Sequence, residues 1–314
     1  MSDRPSDTPA ASSPPAIPVR QSLAQVRRDI DAIDQKLQEL IIRRTELVRE
    51  VRVIKHGWPV KIQPSREAEM LYRLVERHTG PFPKRDLCAI WRQLITATLS
   101  FEGPFSVAVF VPEDEAGCWD QARDHFGPFV PMHRFSTVRS VIEAVRKQDC
   151  VVGVLPMPRH GEDDPWWRLL VTSHREAPRI VGRLPFIPGG NGRFSSNDAL
   201  MICPVAVVPT GRDRCFLAVE ADERLALDHF SQALAKSDLN VVSTAAWCEE
   251  QRPVAWFGLA EVDGFVDGND ARLTRLRETL PVPLKQLVWL GGYAKPFTHT
   301  DLKTEDGGEP AAID

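Results

Sequence analysis

Arg44 interrupts an apolar row. Val26, Ile30, Ile33, Leu37, Leu40, Leu47, Val51 and Ile54 recur with alternating gaps of four and three, and the slot between Leu40 and Leu47 holds the guanidinium. That spacing winds one long helix against partner helices. An unpaired cation facing the packed interior would cost several kcal/mol, so Arg44 requires an anion, either a Glu from a neighbouring helix or an acidic ligand in a polar pocket. Lys55 follows eleven positions later, about 16 Å along the axis and within about 20° of the same face. Two long cationic side chains reaching toward each other across that distance leave a gap of small-molecule size, which favours the ligand. Arg27 precedes Arg44 by seventeen residues, about 25 Å of helix, and is rotated about 100° from it. The two cannot converge on one small ligand within a chain, whereas an antiparallel copy of the helix brings them together. A functional Arg27 therefore implies a dimer with shared sites; a solvated surface charge beside Arg28 is the plainer reading of that residue.

Capping and period place the elements that carry these groups. Ser22 followed by Gln25 opens the long helix, and Gly57 with Pro59 stops it near His56. A second helix begins around Ser65, turns Met70, Leu71, Leu74 and Val75 inward and ends at Gly80; a third follows Pro83. The stripe Leu87, Trp91, Leu94, Ile95 of that third helix continues onto Thr98 and Glu102, so polar groups face inward at its C-terminal end before Gly103 and Pro104. Three helices, one very long, cannot cover the long seam alone, and a second copy is expected to complete the bundle. From Phe105 a β/α alternation takes over, with strands expected at 106–111, 150–155, 179–186 and 199–208, helices at 117–126 and 138–147, and a glycine-rich loop at 188–197. The last segment orders strand 214–220, helix 225–237, strands 240–246 and 254–262, helix 270–280 and strand 284–290, a ferredoxin-like βαββαβ unit.

The 314 residues have room for two or three domains, divided here as a helical domain 21–103, an α/β lobe 105–208 and a ferredoxin-like domain 212–297, with disordered tails at 1–20 and 298–314. A net charge of -4 without basic runs argues against nucleic acid as a partner. Six scattered cysteines without a Cys-x-x-Cys pair suggest neither a zinc site nor a disulfide framework. No apolar run reaches the length of a membrane span, and the Ser-, Pro- and Ala-rich start has no signal-peptide stretch, so a cytoplasmic protein is expected.

The helical region resembles the all-helical chorismate mutases, in the form fused to prephenate dehydratase. The resemblance covers Leu23 to about Glu102 and is most specific in the first helix, through Val26-Arg27-Arg28-Asp29-Ile30, Arg43-Arg44-Thr45-Glu46-Leu47 and Lys55. It implies an intertwined homodimer in which Arg27 reaches over from the partner while Arg44 and Lys55 act from the home subunit. Arg66 and Glu67 match the family's Arg-Glu pair, and Thr98 and Glu102 fall on its Ser and Gln positions. The implied reaction is the [3,3] rearrangement of chorismate to prephenate in aromatic amino-acid biosynthesis, which needs no nucleophile, metal or cofactor, only positioning and electrostatics. Arg27 and Arg44 would clamp the carboxylates, Lys55 would donate to the breaking ether oxygen, Glu67 would accept from the ring hydroxyl, and Arg66 would hold the ring end.

Glu102 departs from the pattern. The family's Gln donates to the ether oxygen, whereas an ionised Glu only accepts and repels the developing charge, so turnover is expected to rise as pH falls below neutrality. The alternative is that Glu102 frays into solvent beside Gly103. The α/β lobe resembles the dehydratase only in outline: Pro156-Met157-Pro158-Arg159-His160 stands where the family has Pro-Ile-Glu-Asn-Ser, Gly192-Arg193-Phe194 replaces Thr-Arg-Phe, and 186–199 is too short for a second lobe. Dehydratase activity is not expected. Gly189-Gly190-Asn191-Gly192 fits no phosphate-binding fingerprint and reads as a plain loop. The ferredoxin-like unit resembles the regulatory ACT domain, ending in Leu290-Gly291-Gly292-Tyr293, but Thr244-Ala245-Ala246-Trp247 replaces the effector motif, which points to a scaffold or a changed effector rather than phenylalanine. Two other functions stand beside the mutase: a non-catalytic regulatory or binding protein that retains the bundle, and an isochorismate pyruvate lyase using the same cations.

Overall fold

The computed structural model describes residues 22–57, 60, 62–113, 117–172, 174, 177–189, 198–249 and 255–303. The expected tail 1–20 and most of the glycine-rich loop, from 190 to 197, lie outside these residues, and the Gly192-Arg193-Phe194 triplet with them. The chain divides into two compact units, Met1–Glu50 and Val51–Asp314.

The first unit consists, among the described residues, of the greater part of helix α1 (Leu23–Ile54). Its start is capped as expected, Gln25 N donating to Ser22 Oγ at 3.3 Å. No residue of α1 is buried, and Ile30, Ile33, Leu37, Leu40 and Leu47 are each about half exposed or more. In the second unit α1 closes with a turn, Lys55 N donating to Val51 O, that ends at Gly57 with φ +88°.

The second unit continues with α2 (Pro64–Arg77) and α3 (Lys84–Glu102). Pro64 suits the first helical turn, where its missing N–H is not needed. Both helices dock on the sheet rather than solely on each other. Leu71, Tyr72 and Cys88 share a core with Phe186, Ala294 and Phe297, while Ile62 and Leu99 join a core built on Val107, Val109 and Val154.

The strands are β1 (Val107–Phe110), β2 (Met132–Phe135), β3 (Val152–Pro156), β4 (Arg179–Leu184), β5 (Ala199–Cys203), β6 (Asp213–Ala221), β7 (Asn240–Glu249), β8 (Ala255–Asp263) and β9 (Leu284–Ala294). Helices α4 (Gly117–Phe126), α5 (Val138–Arg146), α6 (Leu227–Lys236) and α7 (Ala271–Thr279) connect them. Sequence reading missed β2, a four-residue edge strand paired in parallel with β1, because His133 and Arg134 give it the composition of a loop. It also missed the 3₁₀ turn Trp166–Leu170. The strand expected to reach Val208 stops at Cys203, since Pro204 has no N–H for the ladder; Val208 N donates instead to Ser65 Oγ. The expected disordered tail 298–314 is corrected over its first six residues, where Thr298 N and Oγ1 both donate to Asp301 Oδ2 at 2.7 Å and Leu302 packs against the core that contains Tyr72; its remainder, 304–314, lies outside the described residues.

The last four strands and two helices have the ferredoxin-like order β9-β6-β8-β7 with antiparallel neighbours. They do not form a separate sheet. β4 pairs in parallel with β9 at Ile180 and Gly291, which joins all nine strands in the order β2-β1-β3-β5-β4-β9-β6-β8-β7. One core accordingly runs across the joint, from Val141, Trp166 and Trp167 to Phe216, Leu259 and Leu290. Gly291 makes the joint sterically feasible: its φ is +123°, and a Cβ there would stand 2.2 Å from Ile180 O. Gly291→Ala is therefore expected to lower unfolding free energy by at least about 2 kcal/mol in urea titration. An unchanged midpoint would show that the two halves are not held together at this contact.

Candidate active site

Where α1 ends and α3 ends, two predicted residues meet. Lys55 Nζ lies 2.8 Å from Glu102 Oε2, and both side chains are only 12% exposed. Gly103, with φ +156°, stops α3 one residue later and leaves the Glu102 side chain turned inward. The alternative of a Glu fraying into solvent is thereby corrected. An ammonium and a carboxylate this dry hold each other strongly, so an acceptor approaching Lys55 must displace Glu102 or find it protonated. One turn back, Thr98 is buried, and its Oγ1 donates to Ile95 O at 2.8 Å. That bond commits its proton to the helix and leaves lone pairs as the group's remaining capacity.

Glu67 is engaged elsewhere. Its Oε2 stands 2.7 Å from Arg92 Nη2, and the Arg92 side chain is 4% exposed. Arg92 Nη2 also reaches Thr96 Oγ1 at 3.5 Å, while its buried Nε has no partner among the described residues. Glu67, Arg92 and His125 line a cavity of about 20 Å³, room for roughly one water. Burial, with the Arg92 charge second, pushes the His125 imidazole well below its usual pKa and keeps it neutral at pH 7. Sequence reading overlooked Arg92, although the signal that exposed Arg44 was present: a cation within the buried stripe of Cys88, Ile95 and Leu99.

Residues 26–103 match the type II chorismate mutase family. Among curated relatives, the bifunctional chorismate mutase/prephenate dehydratase of Stutzerimonas stutzeri is 30% identical over 148 residues, 45% of this chain and 40% of that protein. The enzyme of the same name from Aquifex aeolicus (strain VF5) is 29% identical over 143 residues, 44% of this chain and 39% of that one. The chain thus spans about two fifths of the length of the curated relatives it matches. Among solved structures, a prephenate dehydratase from Streptococcus mutans superposes with a TM-score of 0.42 at 12% identity, covering 61% of this chain and 98% of that one.

Within the mutase domain the remaining predicted residues are distributed as follows. Arg27 and Arg44 lie in the first compact unit, Arg27 exposed and Arg44 half-buried, where burial lowers the guanidinium pKa below its usual value. Arg66 is exposed on the first turn of α2, beside a cavity of about 400 Å³ walled by Ile62, Pro204 and Val205. In the second unit the mutase domain therefore brings Lys55 and Glu102 into contact and gives Glu67 to Arg92. Arg92→Met would leave the Glu67 carboxylate buried without its counter-charge. A loss of about 3–5 kcal/mol in urea unfolding is expected, with part recovered by adding Glu67→Gln. A loss under about 1 kcal/mol would mean that water relaxes the site.

Proposed function

We propose that this protein is a chorismate mutase that works as a homodimer with shared sites and has no dehydratase activity. The contact between Lys55 and Glu102 carries the reading, because it puts a cation and the residue at the family's Gln position within reach of one oxygen atom. Chorismate carries two carboxylates, and its rearrangement moves electrons without an external nucleophile, so the task left to the protein is to fold the substrate and stabilise the charge that grows on the ether oxygen. Arg27 of one subunit and Arg44 of the other serve as carboxylate clamps, assigned on their spacing along the sequence. Lys55 donates to the ether oxygen, and a protonated Glu102 donates beside it. Thr98, Arg66 and Glu67 complete the substrate contacts on the family pattern, Glu67 with the oxygen that Arg92 leaves to it.

The partner is a second copy of this chain. Each apolar side chain of the α1 seam would gain about 1.5–3 kcal/mol on full burial, so the half-exposed row from Ile30 to Leu47 represents several kcal/mol of interface energy. Only another α1 also offers Arg27 to Arg44. The missing dehydratase activity rests on the replaced motif at Pro156-Met157-Pro158-Arg159-His160. Cytoplasmic residence fits six cysteines free of disulfides and, among the described residues, no helix long and apolar enough to cross a membrane.

A regulatory binding protein is the second reading, favoured by the same ion pair, since an ionised Glu102 occupies Lys55 and adds repulsion where a donor is needed. Chorismate absorbance separates the two. The mutase consumes chorismate faster at pH 5.5 than at pH 7.5, forms prephenate that acid converts to phenylpyruvate, and loses this pH dependence in Glu102→Gln. No turnover at either pH selects the binding protein, and pyruvate released from isochorismate selects a lyase. Shared sites have their own test. Arg27→Ala and Lys55→Ala are each inactive, yet mixed after unfolding and refolding they regain about a quarter of wild-type activity, since half of the dimers are mixed and each of those has one intact site. No recovery would place Arg27 and Lys55 in the same subunit's site or outside it.

A further inference from the structure

The joint between the two halves of the sheet encloses a second polar cluster, far along the chain from the mutase domain. Glu261 on β8 is 4% exposed and stands at its centre. Tyr293 of β9 donates a short hydrogen bond to Glu261 Oε1, Arg214 of β6 approaches the same oxygen at 3.4 Å, and Arg183 of β4 approaches it at 3.7 Å. Ser243 Oγ donates to Oε2 at 3.2 Å. Behind Arg214, Asp263 takes its Nε at 3.4 Å and Lys295 Nζ at 2.6 Å; Asp198 accepts from Arg183 Nε at 2.9 Å. The three cations are thus held in fixed positions by carboxylates, and they converge on a cavity of about 330 Å³.

We propose that this cavity binds a small carboxylate with a compact apolar body. Its polar wall presents Arg183, Arg214, Lys295 and Asp198, with the Tyr293 and Thr298 hydroxyls beside them and the Glu261 and Asp263 carboxylates holding the cations from behind. Its other wall is Pro185, Pro296 and Phe297, and the Phe297 ring is itself anchored edge-on against Tyr72 and Phe186 at 5.3 and 5.5 Å. The volume falls at the lower end of the range for small-molecule sites, about 300–1,000 Å³, and about 150 Å³ is enough for a benzene ring. Inorganic phosphate would satisfy the cations but leave the proline and phenyl surface wet. A zwitterion would bring an ammonium whose only carboxylate in the wall, Asp198, is already held by Arg183. An aromatic or alicyclic monocarboxylate meets both walls, and because the guanidinia are already ordered it costs little side-chain entropy to bind. Arg183 belongs to β4, whereas Arg214 and Lys295 belong to β6 and to the residue after β9, so the ligand ties together the two halves of the sheet.

The test is thermal unfolding and titration calorimetry of the full chain with phenylacetate as probe. Phenylacetate is expected to raise Tm by several degrees at saturating concentration, while acetate, 2-phenylethanol and inorganic phosphate, each lacking one half of the recognition, raise it by less than half as much. Lys295→Met weakens phenylacetate binding about tenfold, and Lys285→Met, in an exposed ion pair elsewhere, leaves it unchanged. Should Lys295→Met lose its fold, the comparison of the four probes on the wild type decides alone. No shift with phenylacetate, an equal shift with phosphate or acetate, or undiminished binding by folded Lys295→Met overturns the proposal.

Discussion

Withdrawing a carboxylate or an ammonium from water costs several kcal/mol per ion, a sum offset only by a close opposite charge with good hydrogen-bond geometry. The helical part of this chain is arranged around that cost. Arg92 lies inside the apolar stripe by which α3 docks on the sheet, and it is tolerated there because α2 begins where Glu67 can meet it at 2.7 Å. That contact fixes the register of the two helices more sharply than their leucines do, since sliding either by a turn would bury two unpaired ions. Lys55 and Glu102 repeat the arrangement at the far end of α3. The difference lies in what each pair can do next. Glu67 and Arg92 line a cavity with room for a water, whereas Lys55 and Glu102 are the pair that the mutase reading assigns to the ether oxygen.

The same constraint shapes the sheet joint. β4 meets β9 through a glycine whose missing Cβ lets the backbones pair, and the buried Glu261 on the neighbouring β8 draws Arg183 and Arg214 from opposite sides of the joint. Burial first, and Glu261 after it, drives the Tyr293 hydroxyl well above its usual pKa, so at pH 7 it stays a donor and the carboxylate stays fully engaged. Apolar packing alone would let the two halves slide as a sandwich of separate domains does. A central ion with partners on both sides specifies one alignment.

These features were legible in the sequence to different degrees, for physical reasons. Long periodic elements read well: α1, α3 and the six elements from β6 to β9 were recovered with boundaries within a few residues, because their apolar repeats persist over several turns or strand pairs. β2 did not, since an edge strand needs no apolar alternation. The inward turn of Glu102 was legible because the third helix's stripe ran on into polar residues, whereas its ion pair with Lys55 was not, since the two lie 47 positions apart. What Glu67 does was not, because Arg92 touches it across two helices and no local pattern announces a partner 25 positions away. The fusion of the two β regions into one sheet was hidden for a related reason: it depends on a single glycine's φ at a parallel contact, which in the sequence is only the middle of Leu290-Gly291-Gly292.

On the mutase reading, a single proton on Glu102 changes two residues together. While ionised, Glu102 holds Lys55 at 2.8 Å, so the ether oxygen would lose one donor to competition and face a negative charge where the other should be. Once protonated, it releases the ammonium and becomes a donor itself. A Gln at the same position would supply one constant donor and never compete for Lys55. On that reading the protonated form offers the oxygen two donors, and the transition state, where charge on the oxygen is greatest, responds more than the ground state does. The ion pair itself stabilises the free protein, where Lys55 would otherwise face a nearly dry pocket without a counter-charge.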